Sequence, residues 1–281
     1  MPAVMLGFHP SDSCVVMGLS GRTVSFCARL DLDWFVHHFD QVADQIINAS
    51  AHVPECRFVV IGYGDPDAAS LAVAELVAVV GEQRVLEAMV TDGRTTWLFT
   101  SDLEPQEIEC STSALEAQAV YEGVRICADR EEAVAPVERH EPLPADEVAS
   151  AEALVTSLSP ADAMDLLAEL VESDEPLSPT EACTLAVLLE DEDRVAAVLS
   201  RLSILTAEVM WLNLLAARTV APAASEDNVV ALLGMASWLN GQGAAQSSCM
   251  EQLASSNPQH TVGGLLNRLH REGVPPRRWH H

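Results

Sequence analysis

The stretch RFVVIGYGDPDAASLAVAELVAVVGEQRVLEAMVTDGRTTWLFT, residues 57–100, decides the fold. Arg57 to Tyr63 is an apolar run of strand length, the strongest buried-strand signal in the chain. Gly64-Asp65-Pro66-Asp67 then turns it into an apolar helical segment, 68–81. Pro66 near its start and Gly81 at its end are ordinary helix punctuation. A second apolar run, 85–91, leads through Asp92-Gly93 into a third, 94–100; Asp-Gly between two such runs signals a hairpin. Strand, helix, strand and hairpin in that order predict a mixed sheet with helices packed on it.

Working outward, residues 14–19 form another apolar run. Ser20-Gly21 separates it from 22–32, where Val24, Phe26, Ala28 and Leu30 alternate with Thr23, Ser25, Cys27 and Arg29. A period of two on both sides of a Ser-Gly break predicts a second hairpin. Trp34, Phe35, His38, Val42, Ile46 and Ile47 fall at helical spacing over 33–51, with Asp33 as an N-cap. A short helix is expected at 113–123. The proline- and charge-rich segment 125–147 reads as a linker. Beyond it the pattern is helical throughout: 146–157, 160–172, 178–189, 191–202, 205–218, 226–240, 242–256 and 260–272. Ser159-Pro160 and Ser178-Pro179 each place an N-cap before a first-turn proline, and Glu181 completes a capping box with Ser178. Residues 228–258 carry small residues at Gly234, Ala236 and Ala245, a turn at Asn240-Gly241 and a closing Asn257-Pro258. They read as one tetratricopeptide-like helix pair. The expected architecture is an α/β N-terminal domain over 1–140, with a mixed sheet of β-hairpins flanked by helices, and an all-α helical domain over 141–281.

The chain has 281 residues with 49% hydrophobic and 20% charged, which excludes a long disordered protein. No stretch of about 18 residues is free of charges and turn residues, so no membrane span is expected. The opening residues lack a basic start followed by an apolar core, so no secretory signal is expected. The net charge is −27, and every base is arginine. Residues 102–193 alone hold 25 acids against 3 arginines. Such a field repels phosphate backbones, attracts basic partners and solubilises. The lysine-free, Ala- and Arg-rich composition suggests a GC-rich, actinobacterial coding background. The 7 cysteines are dispersed, with no CxxC pair, so neither a zinc ribbon nor a thioredoxin motif is written here. A reducing cytoplasm is the expected compartment.

Three segments carry candidate site residues. His9-Pro10-Ser11-Asp12-Ser13 offers a base, His9, oriented by Asp12, with Ser13 or Ser11 as nucleophile. The competing reading is a proline-fixed turn whose oxygens cap backbone N–H groups. Arg29 and Asp31 share one face of a strand end, as an ion pair or an anion site. Asp65 and Asp67 follow a buried strand, where α/β proteins bind ligands. They suit helix capping, or magnesium, better than a phosphate. His37-His38 lie roughly 100° apart on a helix and cannot form an i, i+4 metal pair. His280-His281 follow Trp279 at the end of the sequence.

Two segments resemble a known family. Leu6, Gly7, Phe8, His9, Pro10, Asp12, Ser13 and then Ala28, Arg29, Asp31, Leu32 match the opening signature of domain-of-unknown-function family 4192, found in actinobacteria and their phages. Trp238, Leu239, Gly241, Gly243 and Ala244, with Gly273, Pro275, Pro276 and Trp279, match its C-terminal block. VLEAMVTDGRTTWLFT and the VYEGV at 120–124 also fit. Where many members carry a Cys-Cys-Pro cluster, residues 101–110 here hold only Cys110. The resemblance implies a fold and a lineage but no activity.

The expected function is that of a non-enzymatic interaction or regulatory protein that binds a protein partner, basic in character, with no cofactor, metal, nucleic acid or membrane. An alternative is a small-molecule or nucleotide-binding protein, or an enzyme, with a pocket among His9, Asp12, Ser13, Arg29, Asp31 and Asp65. A second alternative is an acidic DNA mimic, whose best regular run of acids is Asp162, Asp165, Glu169 and Glu172.

Overall fold

A computed structural model describes residues 2–99, 106–107 and 114–279. The chain divides into two compact units, Met1–Ala133 with Leu269–Pro275, and Val134–Arg268 with Pro276–His281.

The first unit runs α1 (Pro2–Leu6), β1 (Ser13–Ser20), β2 (Thr23–Asp31), α2 (Leu32–His37), α3 (Phe39–Ala51), β3 (Arg57–Tyr63), α4 (Pro66–Val80), β4 (Val85–Thr91), β5 (Thr95–Leu98), β6 (Gln106–Glu107) and α5 (Ala114–Tyr121). The strands form one mixed sheet in the order β2-β1-β3-β4-β5-β6. β3 and β4 are parallel, joined through α4; the other neighbouring pairs are antiparallel. Both expected hairpins are present. In the second, Asp92 Oδ1 accepts from the N–H groups of Arg94 and Thr95 at 2.8 and 2.7 Å, which closes the turn.

One sheet face carries the main core. Cys14, Val16, Phe58, Val60, Ala88 and Val90 alternate onto it, and Phe35, Val42, Ile46, Ala72, Val73 and Leu76 cover it from α2, α3 and α4. A smaller cluster of Val15, Met17 and Ile61 lies on the other face, with Leu6 and Tyr63 packed against it. β1 is therefore buried on both sides from Ser13 to Gly18, as a central strand should be.

Two local expectations are corrected. The helix expected over 33–51 breaks at His38, whose φ is −139°. Trp34 to Phe39 are aromatic, β-branched or His residues, all poor helix formers. Asp33 consequently sits in the first turn of α2, and Asp31 stands at the cap position without a side-chain cap bond. The segment expected as linker contains α6 (Arg130–Glu138), with Val134 and Val137 buried. Its start is held by Asp129 Oδ1, which accepts from Glu132 N at 2.8 Å, and by Glu132 Oε2, which accepts from Ala128 N at 2.8 Å. That acid pair outweighs Pro136 and the polar composition.

After α6 come α7 (Ala145–Ser157), α8 (Pro160–Val171), α9 (Pro179–Leu188), α10 (Glu192–Arg201), α11 (Ala207–Val220), α12 (Glu226–Leu239), α13 (Gly243–Ser256) and α14 (Thr261–Arg271). This part of the chain is helical, as its periodicity predicts. The capping box at Ser178 and Glu181 is formed. α12 is buried on every side from Val229 to Leu239, the mark of a helix at the centre of a bundle. It pairs with α13, and Gly234 is small where Cys249 and Leu266 approach. No helix among the described residues is long and apolar enough to cross a membrane.

Candidate functional site

The fold brings the three candidate segments to one end of the sheet. Ser13, first residue of β1, is the Cα partner of Asp31 on one side and of Tyr63 on the other. This is the carboxyl end of β2, β3 and β4, where α/β sheets place ligands. The row continues from Tyr63 to Thr91 and from Thr91 to Thr96. Paired residues share a face, so Asp31, Ser13, Tyr63, Thr91 and Thr96 make a polar row across five strands. The next row inward is Arg29, Val15, Ile61, Met89 and Leu98.

The turn before β1 is clamped from several directions. Arg29 donates from Nη2 to Asp31 Oδ1 at 2.7 Å and to Ser11 O at 3.2 Å. Its guanidinium lies over the Phe8 ring, 5.9 Å from the centroid. Phe8 bridges to Cys127, and His9 N donates to Cys127 O at 3.2 Å. Asp12 takes φ of 43°, and its carbonyl accepts from Leu32 N at 3.1 Å. Gly64 has φ of 116°; a Cβ there would lie 2.7 Å from Asp12 Oδ1. The glycine therefore lets the β3–α4 turn close on Asp12. Asp65 caps α4 by accepting from Ala68 N at 3.0 Å.

What this arrangement can do chemically is limited by what its groups already hold. Arg29 is neutralised by Asp31, and Asp65 is spent on a helix start. His9 is exposed, and its ring makes no side-chain hydrogen bond among the described residues. Ser13 is fully buried and its hydroxyl touches no base, so it has nothing to activate it as a nucleophile. The unexplained feature is the reverse of catalysis: Ser13 Oγ, Thr96 Oγ1 and Arg29 Nε are buried with no hydrogen-bond partner among the described residues. Each such group costs about 1–3 kcal/mol. Burial also raises the Tyr63 phenol above its ordinary range.

Tyr63, Thr91 and Thr96 were not singled out from the sequence. The Asp-Gly turn gives the pairing of Thr91 with Thr96, but only the full strand order joins them to Ser13.

His37 and His38 pack ring to ring at 6.4 Å, and Trp34 lies edge-on to His38 at 5.7 Å, apart from the row. Among the described residues no three His, Cys, Asp or Glu side chains gather as a metal site. Cys14, Cys27, Cys56, Cys127, Cys183 and Cys249 are free thiols, and burial pushes Cys27 and Cys249 up to about 12. Cys110 and His280-His281 lie outside the described residues.

The second unit presents a different surface. On α8 Asp162, Asp165 and Glu169, and at its C-cap Glu172, are all exposed while Ala163, Leu167 and Leu170 are buried. Their spacing of three, four and three places the acids in one outward row. Glu172 holds Arg201 at 2.9 Å. Glu190 is raised by its own burial and by the charge of Glu152.

A family model described as Domain of unknown function (DUF4192) matches residues 2–277. No curated protein and no solved structure matches the chain.

Proposed function

Starting from the chain's membership of the DUF4192 family, shown by that match over residues 2–277, we propose a non-enzymatic interaction protein that binds a basic protein partner through the acidic face of its helical unit. The observation that carries this reading is the exposed acid row of α8, set in the third of the chain where 25 acids meet 3 arginines. Such a surface accelerates encounter with a basic partner and rejects acidic ones.

Duplex mimicry would ask more of the surface than this row. From Asp162 to Glu172 it spans ten helical steps, about 15 Å at about 1.5 Å each. A duplex presents about nine charges over that length, both strands counted, and this row supplies four, so mimicry would need further rows beside it. The free thiols of the described residues support a cytoplasmic setting, where thiols stay reduced. A second reading, a small polar ligand at the sheet end, draws on the unpartnered hydroxyls of Ser13 and Thr96.

The test is capture from an actinobacterial lysate at low salt, eluted in salt steps. The comparison chain carries Asp162→Asn, Asp165→Asn and Glu169→Gln. A basic protein held by the wild type and lost from the variant supports the proposal. Equal capture by both chains, or none by either, refutes it.

A further inference from the structure

We infer that the exposed apolar stripe of Leu205, in the turn leading into α11, and Leu212, on α11, beside the acidic end of α8, seats a basic amphipathic helix of the partner; the inference rests on the acidic-interaction reading above. Leu205 is 93% exposed, Leu212 56% and Ile204 51%, large apolar side chains that the bundle leaves in water. Leu205 leads into α11, and seven residues separate it from Leu212, nearly two turns. Leu205 stands in the turn just before the helix and Leu212 on the helix itself, both left to solvent. Glu208 is exposed between them.

Hydrogen bonds fix what flanks the stripe. Asn213, next to Leu212, donates from Nδ2 to Val171 O at 3.2 Å and Ser173 O at 2.9 Å. At the other end Thr206 Oγ1 donates to Arg201 O at 2.9 Å, and Arg201 reaches Glu172. The C-terminal end of α8 and the loop after it therefore run beside the stripe, with Glu172, Asp174 and Glu175 exposed. A helix C-terminus adds its own partial negative charge. Arg201, the cation at this edge, is already held by Glu172.

An apolar strip rimmed by acids calls for leucine-like anchors flanked by lysine or arginine. Apolar anchors on one side and cations on the other are what a basic amphipathic helix supplies. An added strand is excluded, because the backbone of a helix has no free edge to offer. A second copy using the same face would bring both copies' Glu208 and Glu172 together, a like-charge cost that disfavours it.

The probe is a fluorescein-labelled 18-residue peptide of leucine and lysine with its leucines on one helical face, and its scrambled counterpart. Anisotropy is read with the full chain in 50 mM and 300 mM NaCl. The variants are Leu205→Ser with Leu212→Ser together, and Leu212→Ser alone. Both positions are exposed, so unchanged circular dichroism and melting are expected. The wild type should prefer the amphipathic peptide at least tenfold, and the double variant should lose that preference while keeping weak, salt-sensitive binding. If both peptides bind the wild type equally, or the double variant binds as well as wild type, the stripe is not the seat, and the acidic-surface reading survives. No binding of either peptide at 50 mM NaCl removes both. A wild-type dimer in sedimentation that the double variant makes monomeric assigns the stripe to a second copy and overturns the proposal.

Discussion

Nε2 of His260 donates to Oδ1 of Asn228 at 2.8 Å, and the other ring nitrogen dictates that direction. Nδ1 accepts from Gly263 N at 3.2 Å, so it carries no proton and Nε2 must. With its oxygen occupied, Asn228 turns Nδ2 to Leu189 O at 2.7 Å. His260 thus acts as the N-cap of α14 in its neutral form only, because a second ring proton would point at an amide N–H.

This arrangement makes stability sensitive to acid. Burial lowers the His260 pKa from its ordinary value, while Asp227 and Glu192 pull it the other way. A lowered histidine stabilises the fold above the unfolded value, about 6.5, and loses that contribution as pH falls through the folded value. His260→Asn keeps an N-cap acceptor but does not titrate. Between pH 7.5 and 5.5 the melting temperature of the wild type should fall relative to that of His260→Asn. Parallel curves for the two chains would show that His260 does not couple to folding. The comparison is necessary because protonating carboxylates relieves self-repulsion in a chain of net −27 and raises both curves.

A second expectation concerns Gly273 of the C-terminal block. Asn48 Nδ2 donates to Arg271 O at 3.1 Å, and His52 donates from Nε2 to Glu272 O at 3.0 Å, laying this segment on α3. Gly273 has φ of 60°, and a Cβ would lie 2.6 Å from both N and Cα of Ala49. Backbone atoms cannot step aside as a flexible side chain can. Gly273→Ala should therefore cost about 2–3 kcal/mol and speed amide exchange over 269–275. Gly241→Ala, at φ of 72° with nothing within 4 Å, should cost only about 1 kcal/mol. Equal losses would mean that conformation alone, not the contact with Ala49, demands glycine at 273.

Much of the fold was legible because local chemistry and tertiary outcome agree. Asp92-Gly93 closes the hairpin it announces, and Ser178-Pro179 with Glu181 starts the helix it marks. Agreement failed where two signals competed: Pro136 and its charged neighbours spoke for a linker, and the Asp129–Glu132 cap won. The candidate site was legible as segments and not as a surface. His9, Asp12, Ser13, Arg29, Asp31 and Asp65 do come to one sheet end. That Arg29 is consumed by Asp31 and Ser11, and that Thr96 completes the row, depends on cross-strand register, which no single segment contains. The exposure of Leu205 was equally hidden, since a helix's own periodicity does not say which neighbours cover it.

The unpartnered hydroxyls separate a structural row from a binding one. Thr96 is 4% exposed and Ser13 is 0% exposed. If nothing bonds them, Thr96→Val and Ser13→Ala remove a desolvated polar atom at little packing cost. Each variant should then be unchanged or up to about 1 kcal/mol more stable in urea unfolding. A loss above about 1 kcal/mol in either would show that the hydroxyl holds a partner in solution and would strengthen the small-ligand reading.

The last expectation sets a buried charge against its partner. Arg218 in α11 has only 6% of its side chain exposed, and Nη1 lies 3.2 Å from Oε1 of Glu226, itself 33% exposed. Nη2 donates to Gln252 Oε1 at 3.0 Å, while among the described residues neither Nε nor Nη1 makes a hydrogen bond, so Glu226 holds the guanidinium by charge alone. Removing the carboxylate strands a desolvated cation, whereas removing the cation leaves a carboxylate that water still reaches. Glu226→Gln should therefore cost about 2 kcal/mol and Arg218→Met about 1 kcal/mol or less, because methionine refills the space of the stem and needs no partner. Adding Glu226→Gln to Arg218→Met should cost almost nothing more, since the two groups act as one. Salt should not close the gap, because a buried pair is screened little. Urea unfolding at pH 7 in 0.1 and 0.5 M NaCl measures all four chains. If Arg218→Met proves the more damaging single change, the bond to Gln252 and the packing of the arginine stem matter more than the ion pair.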